Sequence, residues 1–215
     1  MDGLILASAS PRRRQLLASL DLLYRVELPP MPVEELGAGP PPVVAVKNAR
    51  VKAEAVRPGG WPVLAADTVV ADGPEILGKP AGPDEARRML RRLRGRSHRV
   101  ITAVVLAGPE VEYCEAVESR VRMRSYTDSE IEYYIQRGEP FDKAGGYAIQ
   151  DPEFRPAADF EVCYFGIVGL PLCALVRGLR ALGRPVPPAG SAYDPVCRVC
   201  PAIRAAYHQP TGTLR

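Results

Sequence analysis

The chain has only two histidines, His98 and His208, and its five cysteines sit at uneven intervals, at positions 114, 163, 173, 197 and 200. An odd cysteine count at irregular spacing excludes the disulfide framework of a small secreted domain. Cys197 and Cys200 form a Cys-x-x-Cys pair, but no second pair exists. A closed four-ligand zinc site there would need His208 plus a distant residue or another subunit, and two unpaired thiols are the simpler reading. A long apolar run is also lacking: the longest, Val162 to Val176, is broken by Gly166, Gly169 and Pro171 and falls short of a spanning helix. Charge of one sign is lacking as well, with 28 Lys+Arg against 25 Asp+Glu and a net charge of +3. That balance is too mild to indicate a nucleic-acid partner. At the N-terminus, acidic Asp2 precedes a short apolar run that ends in arginines, which lacks the basic n-region and long h-region of a secretory signal. The expectation is a soluble cytoplasmic chain that spans no membrane, and no internal repeat is visible.

What is present suits one good-sized α/β domain or two closely joined lobes, in 215 residues of which 47% are hydrophobic. Leu4 to Ala7 read as a buried strand running into a helix, with Ser10 as N-cap, Pro11 at the first helical position and arginines at 12, 13 and 14. Free N–H groups at such a helix start carry partial positive charge, and planar guanidinium forks match phosphate oxygens. Tyr24 to Leu28 predict a second strand, and a Pro- and Gly-rich loop from Pro29 to Pro42 holds the acidic pair Glu34-Glu35. Helical spacing over Val43 to Val56 puts Val46, Ala49, Ala53 and Val56 on an apolar face, with Lys47 and Lys52 off it. Val63 to Ala71 is nearly all apolar, the mark of a strand covered on both faces.

Further along, a short strand follows Asp72-Gly73-Pro74, a helix spans Pro83 to about Leu93, and His98–Ala107 with Val111–Arg124 predict a hairpin. Thr127 to Glu130 is a capping box opening a helix that runs to Gly138. Strand-like segments continue to Gly169, and Leu170-Pro171 starts a last helix reaching Leu182. Beyond Gly183, prolines and glycines break the pattern, so residues 184–215 read as a tail.

Asp67 is the sharpest single residue. An unpaired carboxylate among valines and alanines costs several kcal/mol, so it must be partnered, bound to a metal, or open to a cleft. A strand-end aspartate bonded to a nearby loop is the bland alternative. Thr68 follows it on the opposite face of a regular strand. Lys79 in Gly78-Lys79-Pro80 and Lys143 in Asp142-Lys143-Ala144-Gly145-Gly146 lie in tight loops that let a ligand approach closely. Taken together, the cations suit phosphates and the carboxylates a hard cation such as Mg²⁺.

Five blocks in order resemble the Maf family of nucleotide pyrophosphatases: Ser8-Ala9-Ser10-Pro11-Arg12-Arg13, Ala66-Asp67-Thr68, Leu77-Gly78-Lys79-Pro80, the run from Gly95 to Val104, and the run from Asp142 to Gln150. The resemblance covers about residues 3 to 183. It implies a two-lobed mixed-sheet α/β fold similar to inosine triphosphate pyrophosphatases, with the active cleft between the lobes, usually in a homodimer. It implies cleavage of a nucleoside triphosphate between its α and β phosphates with a divalent cation, Mg²⁺ or Mn²⁺. On this resemblance Asp67 is the catalytic carboxylate and, with Glu35, holds the metal. Ser8, Ser10, Arg13, Lys52, Lys79 and Lys143 would bind the substrate, while Arg12, Thr68 and Gln150 match positions that sort substrates. The pattern looks like the branch acting on dTTP and UTP.

Two segments depart from the family pattern. Tyr147-Ala148-Ile149-Gln150 carries alanine where the family has glycine, and Asp151-Pro152-Glu153-Phe154-Arg155-Pro156 replaces a glycine-rich link. Two rival readings remain at this point: a pyrophosphatase for modified nucleotides, and a non-catalytic nucleotide-binding regulator of cell division.

Overall fold

A computed structural model describes residues 3–20, 22–30, 39–56 and 60–186. A single mixed sheet organises them, in the order β2-β1-β3-β5-β6-β7 with β4 beside β3. Strand β1 (Leu4–Leu6) runs parallel to both β2 (Tyr24–Val26) and β3 (Val63–Asp72). β3 then pairs antiparallel with β4 (Glu75–Leu77) and β5 (Ser97–Ala107), β5 with β6 (Glu112–Met123), and β6 with β7 (Ala157–Glu161). Helix α1 (Pro11–Ala18) follows β1, α2 (Pro41–Ala55) precedes β3, and α3 (Pro83–Leu93) and α4 (Asp128–Gln136) flank the hairpin of β5 and β6. Short α5 (Tyr164–Val168) and α6 (Leu172–Ala181) complete the described chain. No helix among the described residues is long and apolar enough to cross a membrane.

The two-residue period of the strands divides the core. Leu4, Leu6, Leu64, Ala66, Val104 and Leu106 face α1 and α6, packing with Leu17, Leu172 and Leu175. Ile5, Val63, Ala65, Val69, Ala103 and Val105 face α2, against Val44, Ala45, Ala49 and Ala53. A third cluster joins the far ends of the strands to α3 and α4 through Leu90, Val100, Val121, Tyr126, Ile131 and Tyr134. Covering β3 on both faces is what its near-continuous apolar sequence predicts.

Along one edge β3 is paired with β5 throughout, from Val63 to Ala71. Along the other, β1 covers only Val63 and Leu64, and β4 covers only Val70 to Asp72. Among the described residues, no strand pairs with the stretch between on that side. Asp67 and Thr68 lie in that interval, which is how mid-strand residues reach open space.

Helix ends follow the sequence closely. Ser10 caps α1 by accepting from the N–H of Arg13 at 3.4 Å, with Pro11 in the first turn. Thr127 and Glu130 form the reciprocal capping box of α4. In α3, Asp84 and Glu85 open the helix and Arg91 and Arg92 close it, matching the helix dipole.

Two expectations need correction. Lys52 does not lie off the packed face of α2: that face is Val44, Ala45, Asn48, Ala49, Lys52 and Ala53, and Val46 is only half-buried. The polar members face inward because a carboxylate awaits them there. Residues 164–168 are helix rather than strand. Aromatic and β-branched side chains favour extended backbone, but Cys163 caps the turn by accepting from the N–H of Gly166 at 3.2 Å, and Gly169 at φ +126° ends it. The Cys197 and Cys200 pair, His208, Glu34 and Glu35 lie outside the described residues.

Between β7 and α5, Val162 adopts φ +82° with a well-exposed side chain. A β-branched residue is strained in that region by about 1 to 2 kcal/mol. Val162→Gly is expected to raise stability by up to about 1 kcal/mol, part of the relief being offset by unfolded-state entropy. Urea midpoints for the two proteins check this, and a less stable variant refutes the strain.

Candidate active site

The chemistry is built on α2 and β3. Asn48 and Lys52 stand one helical turn apart, so both side chains leave the same face of α2. Asp67 is 5% exposed. Lys52 Nζ donates to Asp67 Oδ1 at 2.6 Å and Asn48 Nδ2 donates to Oδ2 at 3.1 Å. A buried carboxylate thereby gains a charge partner and a hydrogen bond at each oxygen. Each oxygen keeps a second lone-pair direction.

On the opposite face of β3, Thr68 meets α1. Buried Arg13 donates from Nη2 to Thr68 Oγ1 at 3.1 Å, from Nη1 to Ser8 Oγ at 3.4 Å, and from Nε to the Gly169 carbonyl at 2.8 Å. Thr68 and Thr102 hydroxyls meet at 2.9 Å, and Thr102 donates to the Gly166 carbonyl at 2.7 Å. The guanidinium is thus fixed by the strand, the loop after β1 and the end of α5.

Across the opening, the Phe141–Gln150 segment folds as two 3₁₀ turns, Glu139–Asp142 and Ala144–Gly146, with residues 147–150 after them. Gly145 has φ +70°, and a Cβ there would sit 2.9 Å from Val70 Cγ1, so only glycine lets this segment lie on β3. Lys143 donates to Asp142 at 2.6 Å and to Glu139, and Arg12 reaches Asp142 at 3.2 Å. Burial pushes the Asp142 carboxyl up, but Lys143 and Arg12 outweigh it and leave it below the ordinary carboxylate range.

These pieces enclose a cavity of about 470 Å³. Every candidate residue within the described chain lines it: Ser8, Ser10, Arg12, Arg13, Lys52, Asp67, Thr68, Lys79, Lys143 and Gln150. Among the described residues its charged lining is Arg12, Arg13, Lys52, Lys79 and Lys143 against Asp67 and Asp142, an excess of positive charge suited to a polyanion. Leu28, Val70, Val100, Ile149 and Ile167 add an apolar portion. Glu35 lies outside the described residues, and among those described no three His, Cys, Asp or Glu side chains cluster as a metal site.

Residues 3–182 match the Maf-like protein family model. The chain belongs to that family. A relative in Thermomicrobium roseum, named dTTP/UTP pyrophosphatase, is 48% identical over 209 residues, covering 94% of each chain. One in Myxococcus xanthus, with the same name, is 44% identical over 187 residues, covering 86% of this chain and 94% of its own. Among solved structures, a HAM1 protein from Coxiella burnetii matches with a TM-score of 0.45 at 19% identity, covering 72% of this chain and 90% of that one.

The alanine in this Maf-like protein's Tyr147-Ala148-Ile149-Gln150 run costs no backbone strain, because Ala148 is not among the residues with positive φ. Sequence reasoning missed Asn48, Thr102 and the Gly169 carbonyl as parts of the site. Asn48 had a signal, its four-residue spacing from Lys52, whereas a carbonyl acceptor carries no side-chain signature.

His98 also went unused. It is 3% exposed, and its Nε2 lies 2.6 Å from the Tyr147 hydroxyl in the cavity wall. Burial pulls the imidazole down to about 4, against the attraction of Asp72, and among the described residues Nδ1 has no hydrogen-bond partner to accept a second proton's bond. The unfolded chain takes up that proton near pH 6.5, so stability is full above pH 6.5 and declines as pH falls toward 4. His98→Asn is expected to flatten the fall of Tm across this window, by up to ~3 kcal/mol of pH-dependent stability. Parallel slopes for both proteins would rule this out.

Removing one member of the buried pair has a different signature. Lys52→Met should cost about 3 to 5 kcal/mol by stranding the Asp67 carboxylate. Adding Asp67→Asn to that variant is expected to restore part of the loss, measured by urea denaturation of both proteins.

Proposed function

We propose that this Maf-like protein hydrolyses nucleoside triphosphates, dTTP and UTP foremost, between the α and β phosphates, giving the monophosphate and pyrophosphate. The reading rests on one observation above all: the candidate residues, scattered from Ser8 to Gln150 in the chain, line one positively charged cavity with Asp67 in its wall. The names of the Thermomicrobium roseum and Myxococcus xanthus relatives, dTTP/UTP pyrophosphatase, support the same reaction and the same bases.

Asp67 acts as the base that takes a proton from the attacking water. Lys52 and Asn48 each bond one oxygen of its carboxylate and so hold it in a fixed orientation. Arg13, Lys79 and the N–H groups at the start of α1 bind the phosphates that depart, stabilising charge as it builds. Arg12, Thr68 and Gln150 contact the parts of the substrate that differ between nucleotides.

The donor set fits a hard divalent cation, since among the described residues the cavity offers carboxylate oxygen and no thiol or imidazole, and such an ion needs only one or two protein carboxylates beside substrate phosphates. Asp67 and Glu35 would hold it, and when bound it supplies neutralisation of phosphate charge.

The test is pyrophosphate release from dTTP, UTP, CTP, GTP and methylated nucleotides with Mg²⁺ or Mn²⁺, for wild type and Asp67→Asn. Release from dTTP and UTP should fall by about 10²- to 10⁴-fold in the variant. Preference for modified nucleotides would change the substrate while keeping the chemistry. Nucleotide binding without turnover in wild type would replace the enzyme with a regulator.

A further inference from the structure

Gln150 stands at the tip of a β-turn in which the Asp151 N–H donates to the Ala148 carbonyl at 3.2 Å. Both ends of that turn are tied to one helix. The Ala148 N–H donates to the Tyr134 hydroxyl at 3.1 Å. Arg137, the C-cap of α4, grips the Asp151 carboxylate with Nη1 and Nη2 at 3.2 and 3.1 Å. Tyr134 and Arg137 are three residues apart and share a face of the helix.

The Asp151 carboxylate is 3% exposed and also accepts from the N–H groups of Glu153 and Phe154, at 3.1 and 2.7 Å. Burial alone would push it up, but these N–H groups and Arg137 hold it below the ordinary carboxylate range, so it stays charged. Phe154 stacks on Tyr134 with ring centroids 4.4 Å apart, closing the frame. Ala148 and Asp151 are therefore buried and pinned, while Ile149 and Gln150 between them line the cavity. A glycine-rich link at this place would have no carboxylate for Arg137 to hold.

We infer that the fork between Arg137 and Asp151 is a positioning device for base selection: it fixes the turn that presents Gln150 to the nucleobase. Neither residue lines the cavity, so both act through Gln150. The inference rests on the pyrophosphatase reading, and its consequence is separable from it. A loosened turn changes discrimination between bases, which depends on where hydrogen-bonding groups stand, and leaves the phosphate end untouched.

The measurement is the ratio of kcat/KM for UTP over CTP, in wild type, Arg137→Ala, Arg137→Lys and Asp151→Asn. A ratio does not depend on the fraction of protein that is folded, so simple destabilisation does not move it. Arg137→Ala is expected to lower the ratio about tenfold, chiefly through KM for UTP. Arg137→Lys keeps the charge without the fork and should recover little. Hydrogen exchange in the nucleotide-free protein gives a second readout, with the Ala148 and Asp151 amides exchanging at least about tenfold faster in Arg137→Ala. Asp151→Asn keeps the side chain's shape and serves if the arginine variants fail to fold. A wild-type ratio in Arg137→Ala or Arg137→Lys, or unchanged exchange, overturns the positioning role and leaves the pyrophosphatase reading standing. No pyrophosphate from either nucleotide in wild type overturns the reading itself, and the exchange experiment then still judges the fork.

Discussion

A carboxylate in the middle of a covered strand is the constraint on which the site depends. Asp67 occupies the stretch of β3 that neither β1 nor β4 pairs along that edge. Burial there would be costly for an isolated charge, and α2 meets the cost by turning Asn48 and Lys52 inward among its alanines and valine. The helix must pack closely for a 2.6 Å contact to form, which the small Ala45, Ala49 and Ala53 permit. The interruption of the sheet, the small-residue helix face and the ion pair therefore form one arrangement. Loss of any one of them exposes or strands the charge.

Arg13 plays the matching part on the other face of the same strand. Three of its N–H groups are committed to Ser8, Thr68 and Gly169, so the guanidinium is oriented before any ligand arrives. Preorganisation of this kind matters more than the number of positive charges, because a transition state is stabilised only by groups already aimed where charge develops. Adjacent residues of one strand, Asp67 and Thr68, thus organise opposite charges on opposite faces. Their side chains reach a common cavity because β3 is open between its partners.

Much of this was legible beforehand. The capped start of α1, the span of α3, the capping box of α4 and the hairpin of β5 and β6 all follow from local signals, since caps, turns and a two-residue period act over a few positions. Lys52 was misplaced because helical periodicity counts apolar residues, and a buried lysine breaks that count only when its partner, fifteen positions on, is already known to face it. The composition of residues 164–168 favours strand, while Cys163 and Gly169 decide for helix by capping and ending a single turn. Asn48, Thr102 and the Gly169 carbonyl are defined by distant neighbours, which a local pattern does not contain.

The cavity walls are supported by different parts of the fold. Arg13, Lys52 and Asp67 stand on α1, α2 and β3, whose packing forms the two cores flanking the parallel strands. The turn bearing Gln150 hangs instead on α4, through Tyr134 and Arg137, within the third core at the far end of the sheet. The contacts that hold that turn are separate from those that hold Asp67 and Lys52. Asp151, where the sequence departs from the pattern the family resemblance implies, is itself one of the anchors of that turn.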